Sequence, residues 1–110
     1  MKHISVPTSQ AAMTRLDLDA CITGDLIEFY LNDAQYRALW KSGVIEQINK
    51  TLNIMIDDFE DEKILGSERL LYAQQLIESK LAATNCEVLQ KLLFLTISAL
   101  KYNTGVFFYF

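Results

Sequence analysis

The residues that most constrain the fold are Val106-Phe107-Phe108-Tyr109-Phe110, five in a row that are apolar, four of them aromatic. Such a run reads as a strand covered on both faces, because an open edge of this composition would template aggregation. It requires a partner strand and a layer of helices over the sheet. The sequence offers Leu26-Ile27-Glu28-Phe29-Tyr30-Leu31 as that partner, rich in aromatic and β-branched residues. Just before it, Leu16, Leu18, Ala20 and Ile22 alternate with polar or small positions, the period of a half-buried strand. Thr23-Gly24-Asp25 then reads as the turn of a hairpin joining these two strands.

Helical signals fill most of the remainder. Asn32 is suited to accept from the free N–H groups of a helix start, and Gln35 stands three residues on, as in a capping box. Tyr36, Leu39 and Trp40 share one face of this helix. Lys41 suits its negative end, and Gly43 can take the left-handed conformation that closes it. Val44, Ile45, Ile48, Leu52, Met55, Ile56 and Phe59 recur at three- and four-residue steps, which predicts a second helix from Val44 to Asp58. Ser67 is the expected cap of a third, with Leu70, Ala73, Ile77 and Leu81 as its stripe, widened by Leu71, Tyr72 and Leu76. A fourth, Cys86 to Tyr102, is apolar nearly all round and belongs at the centre of the fold.

These elements make an α+β fold: a small, mostly antiparallel sheet that includes the C-terminal strand, packed with about four helices. Residues 1–12, mixed and polar around Pro7, read as a flexible tail with room for a short strand at its start, and 13–110 as a single domain. Hydrophobic residues make up 51% of the 110 positions and proline occurs once, which excludes disorder for most of the chain. The longest strongly apolar stretch, Leu92–Leu100, falls far short of the roughly 20 residues of a membrane span. No apolar core of a signal peptide follows Met1-Lys2-His3-Ile4. The expected setting is the cytoplasm, with Cys21 and Cys86 reduced and partly buried.

Charge narrows the function. Ten basic and fourteen acidic residues give a net charge of −4, against a nucleic-acid binder. The excess is local. Residues 1–62 carry 11 acids and 5 bases, residues 63–110 carry 3 acids and 5 bases. Its focus is Asp57, Asp58, Glu60, Asp61 and Glu62, interrupted only by Phe59. At the end of a helix over 44–58 these carboxylates would face the negative pole of the helix and one another, so the fold gains nothing from them. Three readings compete: a solvated loop, a docking surface for a basic protein, and a calcium loop. The spacing and the turn glycine of an EF-hand are absent.

Catalytic chemistry is not written in the chain. His3 is the only histidine, so a histidine-based metal site or nucleophile pair lacks a partner. Asp17-Leu18-Asp19 resembles the start of the DxD motif of aspartate-nucleophile phosphatases, but no fully apolar strand leads into it; the plainer reading is a solvent-facing edge strand. The expectation is a non-enzyme without cofactor or metal. Tyr30, Tyr36, Trp40 and Tyr72 are candidate interface anchors, although a large ring at helical spacing, as at Trp40, is usually core.

Four segments carry a family resemblance: Tyr30-Leu31-Asn32-Asp33-Ala34-Gln35, Ser42-Gly43-Val44-Ile45-Glu46-Gln47-Ile48-Asn49, Ile56-Asp57-Asp58-Phe59-Glu60-Asp61-Glu62 and Thr104-Gly105-Val106-Phe107-Phe108-Tyr109-Phe110. Their order resembles that of small bacterial immunity proteins of contact-dependent growth inhibition and related polymorphic-toxin systems. The resemblance implies a cytoplasmic monomer that binds one cognate toxin domain 1:1 and occludes its active site. That toxin domain would be a basic protein, often a nuclease, which must itself approach phosphates. The partner-binding residues would be Asp57, Asp58, Glu60, Asp61 and Glu62. The competing class is a non-catalytic adaptor or secretion-chaperone-like module that dimerises through its apolar helices. A third, a small enzyme, would need a metal pocket lined by Asp17, Asp19 and Asp57.

Overall fold

A computed structural model describes residues 2–110. Its elements are β1 (His3–Pro7), α1 (Gln10–Asp17), β2 (Leu26–Tyr30), α2 (Asp33–Lys41), α3 (Val44–Leu52), β3 (Asp61–Leu65), α4 (Ser67–Thr84), α5 (Glu87–Tyr102) and β4 (Gly105–Tyr109). The fold is α+β, with an antiparallel sheet in the order β2-β1-β4-β3. Among the described residues no helix is long and apolar enough to cross a membrane.

Within the expected tail, His3–Pro7 is in fact an inner strand of the sheet and residues 10–12 begin α1, while Met1 lies outside the described residues. Ile4 and Val6 alternate into the core, and β1 pairs on one side with β2 and on the other with β4. A short strand at the start of that segment is open in the sequence, but not its central place in the sheet. Pro7 fits at its end, since the backbone position it occupies faces away from β2 and needs no donor there. The closing aromatic strand therefore pairs with β1 and β3, not with 26–31 as expected.

The expected strand over 16–22 is also overturned. Ser9 accepts from the Ala12 N–H at 3.0 Å and starts α1, which runs through Leu16 to Asp17. Leu18 and Ile22 lie 69% and 63% exposed, so their alternation buries nothing. Asp19 takes a left-handed φ of 55°, and the loop is held by Arg15, whose Nε and Nη2 each donate to Asp25 at 2.7 Å. No hairpin forms through Gly24; β2 finds β1 instead. The described residues thus form five helices, where about four were expected.

The expectations around α2 hold closely. Asn32 and Gln35 form the reciprocal cap, each bond 2.8 Å, and Gly43 closes the helix with φ 81°. The next helix is shorter than expected. It stops at Leu52, where Asn53 turns left-handed, and Ile54–Ile56 belong to a loop. β3, which no sequence signal indicated, follows at residues whose charges disguise an edge strand.

One face of the sheet carries Ile4, Val6, Val106, Phe108 and Ile64 into the core, against Leu89, Leu92, Leu95 and Ala99 of α5 and the buried stripe of α4, Leu70, Ala73 and Ile77. The stripe is narrower than expected: Leu71 and Tyr72 face solvent, as do Phe94 and Ile97 of α5. Helix α1 lies on the opposite face, near Phe107 and Leu65.

Candidate functional site

The acidic run occupies the turn between α3 and β3 and the first two residues of β3, not a helix end, so no helix dipole opposes it. Asn49, in the last turns of α3, shapes the approach to that turn. Its Nδ2 donates to the Ile56 carbonyl at 3.0 Å and its Oδ1 accepts from the Ile56 N–H at 2.8 Å. The side chain thus replaces a missing ladder partner and pins Ile56 in the core. Asp57 then accepts from the Asp58 N–H at 2.8 Å, and the Glu60 N–H donates to the Asp57 carbonyl at 3.3 Å. Between them Phe59 adopts φ 63°, uncommon for a bulky side chain.

The five carboxylates divide by role. Asp58 accepts from Lys2 Nζ at 2.9 Å and from the Tyr36 hydroxyl. Lys2 also donates to the Phe110 carbonyl at 2.9 Å and lies over the Tyr36 ring, so this knot joins β1, α2, the turn and the end of β4. The hydrogen bond from Tyr36, then that from Lys2, holds the Asp58 carboxyl below its usual range. Burial, and next the bond to Asp58, pushes the Tyr36 hydroxyl up to about 12. Glu62 turns inward, accepting from the Met55 and Lys63 N–H groups at 3.1 and 2.9 Å. Asp57, Glu60 and Asp61 are exposed, and among the described residues none of the three enters an ion pair.

Phe59 stands in the middle of these charges at 94% exposure. It overhangs a cleft of about 550 Å³ whose wall includes Lys2, Leu31, Tyr36, Tyr109 and Phe110. The apolar period places this ring in a helical stripe, whereas it stands in solvent. The available signal was the lone apolar residue interrupting an acidic run. The meeting of Lys2 and Tyr36 at Asp58 carried no comparable signal, because it brings them to that residue from 56 and 22 positions away.

Other candidates are dispersed. Asp17 borders a separate cleft of about 300 Å³ with Asp61, Glu62 and Lys63, but Asp57 is not part of it. Among the described residues no group of three or more metal-ligating side chains is assembled. Asp17 ends a helix and Asp19 sits in a turn, not on an edge strand. His3, placed in the tail by sequence, stacks between Tyr30 and Tyr109 at centroid distances of 4.7 and 4.8 Å. Cys21 is exposed, contrary to expectation, and Cys86 half-buried; both are free thiols. Tyr30 and Tyr72 are exposed, while Tyr36 and Trp40 are half-buried. Compared with known proteins, the chain matches no family model, no curated protein and no solved structure.

Proposed function

We propose that this chain is an immunity protein: a non-catalytic cytoplasmic inhibitor that binds a cognate, basic, nuclease-type toxin domain 1:1 and covers its active site. The observation that carries the reading is Phe59, an almost fully exposed aromatic ring held on a pinned turn among unpaired carboxylates. Lys2 Nζ lies 5.3 Å from the centroid of this ring yet leaves nearly all of it in water, and an exposed ring of this size is the type of residue enriched at interfaces. Asp57, Glu60 and Asp61 around it would meet the cations with which a nuclease binds phosphate, giving fast and salt-sensitive association. Asp58 and Glu62, satisfied within the chain, set the shape of the turn and are positioning residues.

The reading requires a large secreted protein with a basic C-terminal domain in the neighbouring reading frame, and the test uses that domain. Co-expression should restore growth, and calorimetry should give a 1:1 complex of about nanomolar affinity that weakens with salt. Phe59→Ala, and separately Asp57→Lys with Glu60→Lys and Asp61→Lys, should each raise Kd by about 100-fold or more. Unchanged affinity in both variants removes this surface from the reading; failure of growth rescue removes the immunity reading itself.

A second reading has its own support. Leu71 and Tyr72 on α4 and Phe94 and Ile97 on α5 are about half exposed, as in an adaptor or secretion chaperone that dimerises through its helices. Sedimentation separates the two, since that module would be an obligate dimer.

A further inference from the structure

The outer side of β2 is an unused hydrogen-bonding edge. β2 ends the sheet. Two bonds fix the direction of its backbone groups: Thr8 N–H to the Asp25 carbonyl at 2.8 Å and Leu31 N–H to the Lys2 carbonyl at 2.9 Å. In an antiparallel pair the bonding residues alternate. Residues 25, 27, 29 and 31 therefore bond β1, and the N–H and C=O groups of Leu26, Glu28 and Tyr30 point outward. Glu28 is exposed and Tyr30 48% exposed.

A groove of about 260 Å³ adjoins this edge on the core-facing side of the sheet. Phe29, Ala34, Ala38, Cys86 and Val88 line it, with Lys91 at its rim, its Nζ 6.0 Å from the Phe29 ring. On the other face Glu28 accepts from the Tyr30 hydroxyl at 3.1 Å. Among the described residues it has no cationic partner. A neighbouring strand would therefore meet, on one side, a hole lined mainly by apolar side chains with Gln35, Glu87 and Lys91 also in its wall, and a carboxylate on the other. Backbone bonds supply affinity and alternate side-chain pockets supply selectivity in this mode of recognition.

We propose that β2 accepts an extended segment of a partner protein in which basic and apolar residues alternate. The segment adds as a further antiparallel strand, with an apolar side chain in the groove beside Phe29 and a cation opposite Glu28. A second copy of this chain is a poorer occupant. Pairing about a twofold axis at the middle of β2 sets Glu28 against Glu28, and like charges directly opposite are unfavourable. The inference does not depend on the acidic turn, which leads into the opposite edge of the sheet.

The probe is a short peptide of alternating lysine and valine, blocked at both ends, with an alternating glutamate–valine peptide as its control. On addition of the lysine peptide, amide exchange followed by NMR should slow at Leu26, Glu28 and Tyr30. Ile27 and Phe29, already bonded to β1, should change little. Glu28→Lys, at an exposed position, should reverse the preference between the two peptides. Ala34→Phe, also exposed, should fill the groove and weaken binding about tenfold or more without altering that preference. Free exchange at the three amides up to the peptide's solubility limit overturns the proposal, as does equal response to both peptides or a Glu28→Lys variant that does not switch. Concentration-dependent protection of the same amides without peptide, with a dimer by sedimentation, also overturns it in favour of self-pairing.

Discussion

The two edges of the sheet differ in how they meet solvent. β3 carries Asp61, Glu62 and Lys63 within five residues, and β2 carries only Glu28. Charge on an edge discourages further pairing, and the Glu62 carboxylate already takes the outward Lys63 N–H at 2.9 Å, so β3 is chemically closed. What it exposes instead is the turn before it, with Phe59 and its carboxylates. β2 has the reverse arrangement: its side chains are mostly apolar, and its backbone is open beside a groove. One edge can recognise a partner through side chains, the other through main chain. Both lean on the same inner pair, β1 and β4, so a partner bound at either edge meets a surface held by one core.

That shared support can be broken at Phe108, which is fully buried and opposite both Ile4 and Glu62. Phe108→Ala should cost about 3–5 kcal/mol in urea unfolding, and exchange protection at both edges should fall together. Retained protection in β2 with loss in β3 would separate the edges into independent units. Gly105 acts more locally. A Cβ there would lie 2.4 Å from Leu65 Cδ2 and 2.7 Å from the Ile64 carbonyl. Backbone cannot yield as a flexible side chain can, so Gly105→Ala should cost about 1–3 kcal/mol. Its effect should concentrate in β3, leaving peptide binding at β2 within about twofold of the parent.

Acid titration sharpens the contrast at the segments that lead into each edge. Arg15, by paired hydrogen bonds, holds the buried Asp25 carboxyl at about 2, and Asp58 is lowered by Tyr36 and Lys2. Both folded-state values lie below the unfolded value of about 3.9. Each group therefore contributes its stabilisation above that pH and loses it as pH falls through the folded value. Asp58 is half exposed, and its knot should open at higher pH than the Arg15–Asp25 clamp. Trp40, edge-on to Tyr36, reports the first through its fluorescence, and the Ile22 amide, bonded to Asp25 at 3.0 Å, reports the second. Asp58→Asn should remove the fluorescence transition and leave the Ile22 one. Simultaneous transitions in the parent protein would mean that the knot and the clamp are coupled.

Local chemistry made some of this legible in the sequence. The Asn32–Gln35 cap, the Gly43 stop and the aromatic β4 each depend on neighbours a few residues away; the start of α4 was legible too, but Gly66 holds the cap position expected of Ser67, with no side-chain bond. The errors share a different origin. The central place of β1 is recognisable only through its two partners, both distant in sequence, and an edge strand such as β3 tolerates charges that a pattern search reads as loop. The acidic run was found, but its setting was not. A helix continued through Met55 and Ile56 fits the apolar period, whereas Asn53 and the Asn49 clamp end it early. Phe59 was therefore assigned to a buried stripe when it stands in solvent.

The smallest effect tests the segment where periodicity misled. Leu16, Leu18, Ala20 and Ile22 alternate as a half-buried strand would, yet Leu18 and Ile22 project into solvent from the loop that precedes β2. Neither residue removes apolar surface from water there, and exposed substitutions of this kind shift stability by no more than about 0.5 kcal/mol. Leu18→Ser and Ile22→Ser should then leave the urea midpoint close to the parent and the β2 amides unchanged. Each should also lower retention on a hydrophobic-interaction column, since each deletes exposed apolar area. A loss near the roughly 2–5 kcal/mol typical of a truncated core residue would instead put these side chains under cover, and with them restore a strand to the loop that feeds the open edge.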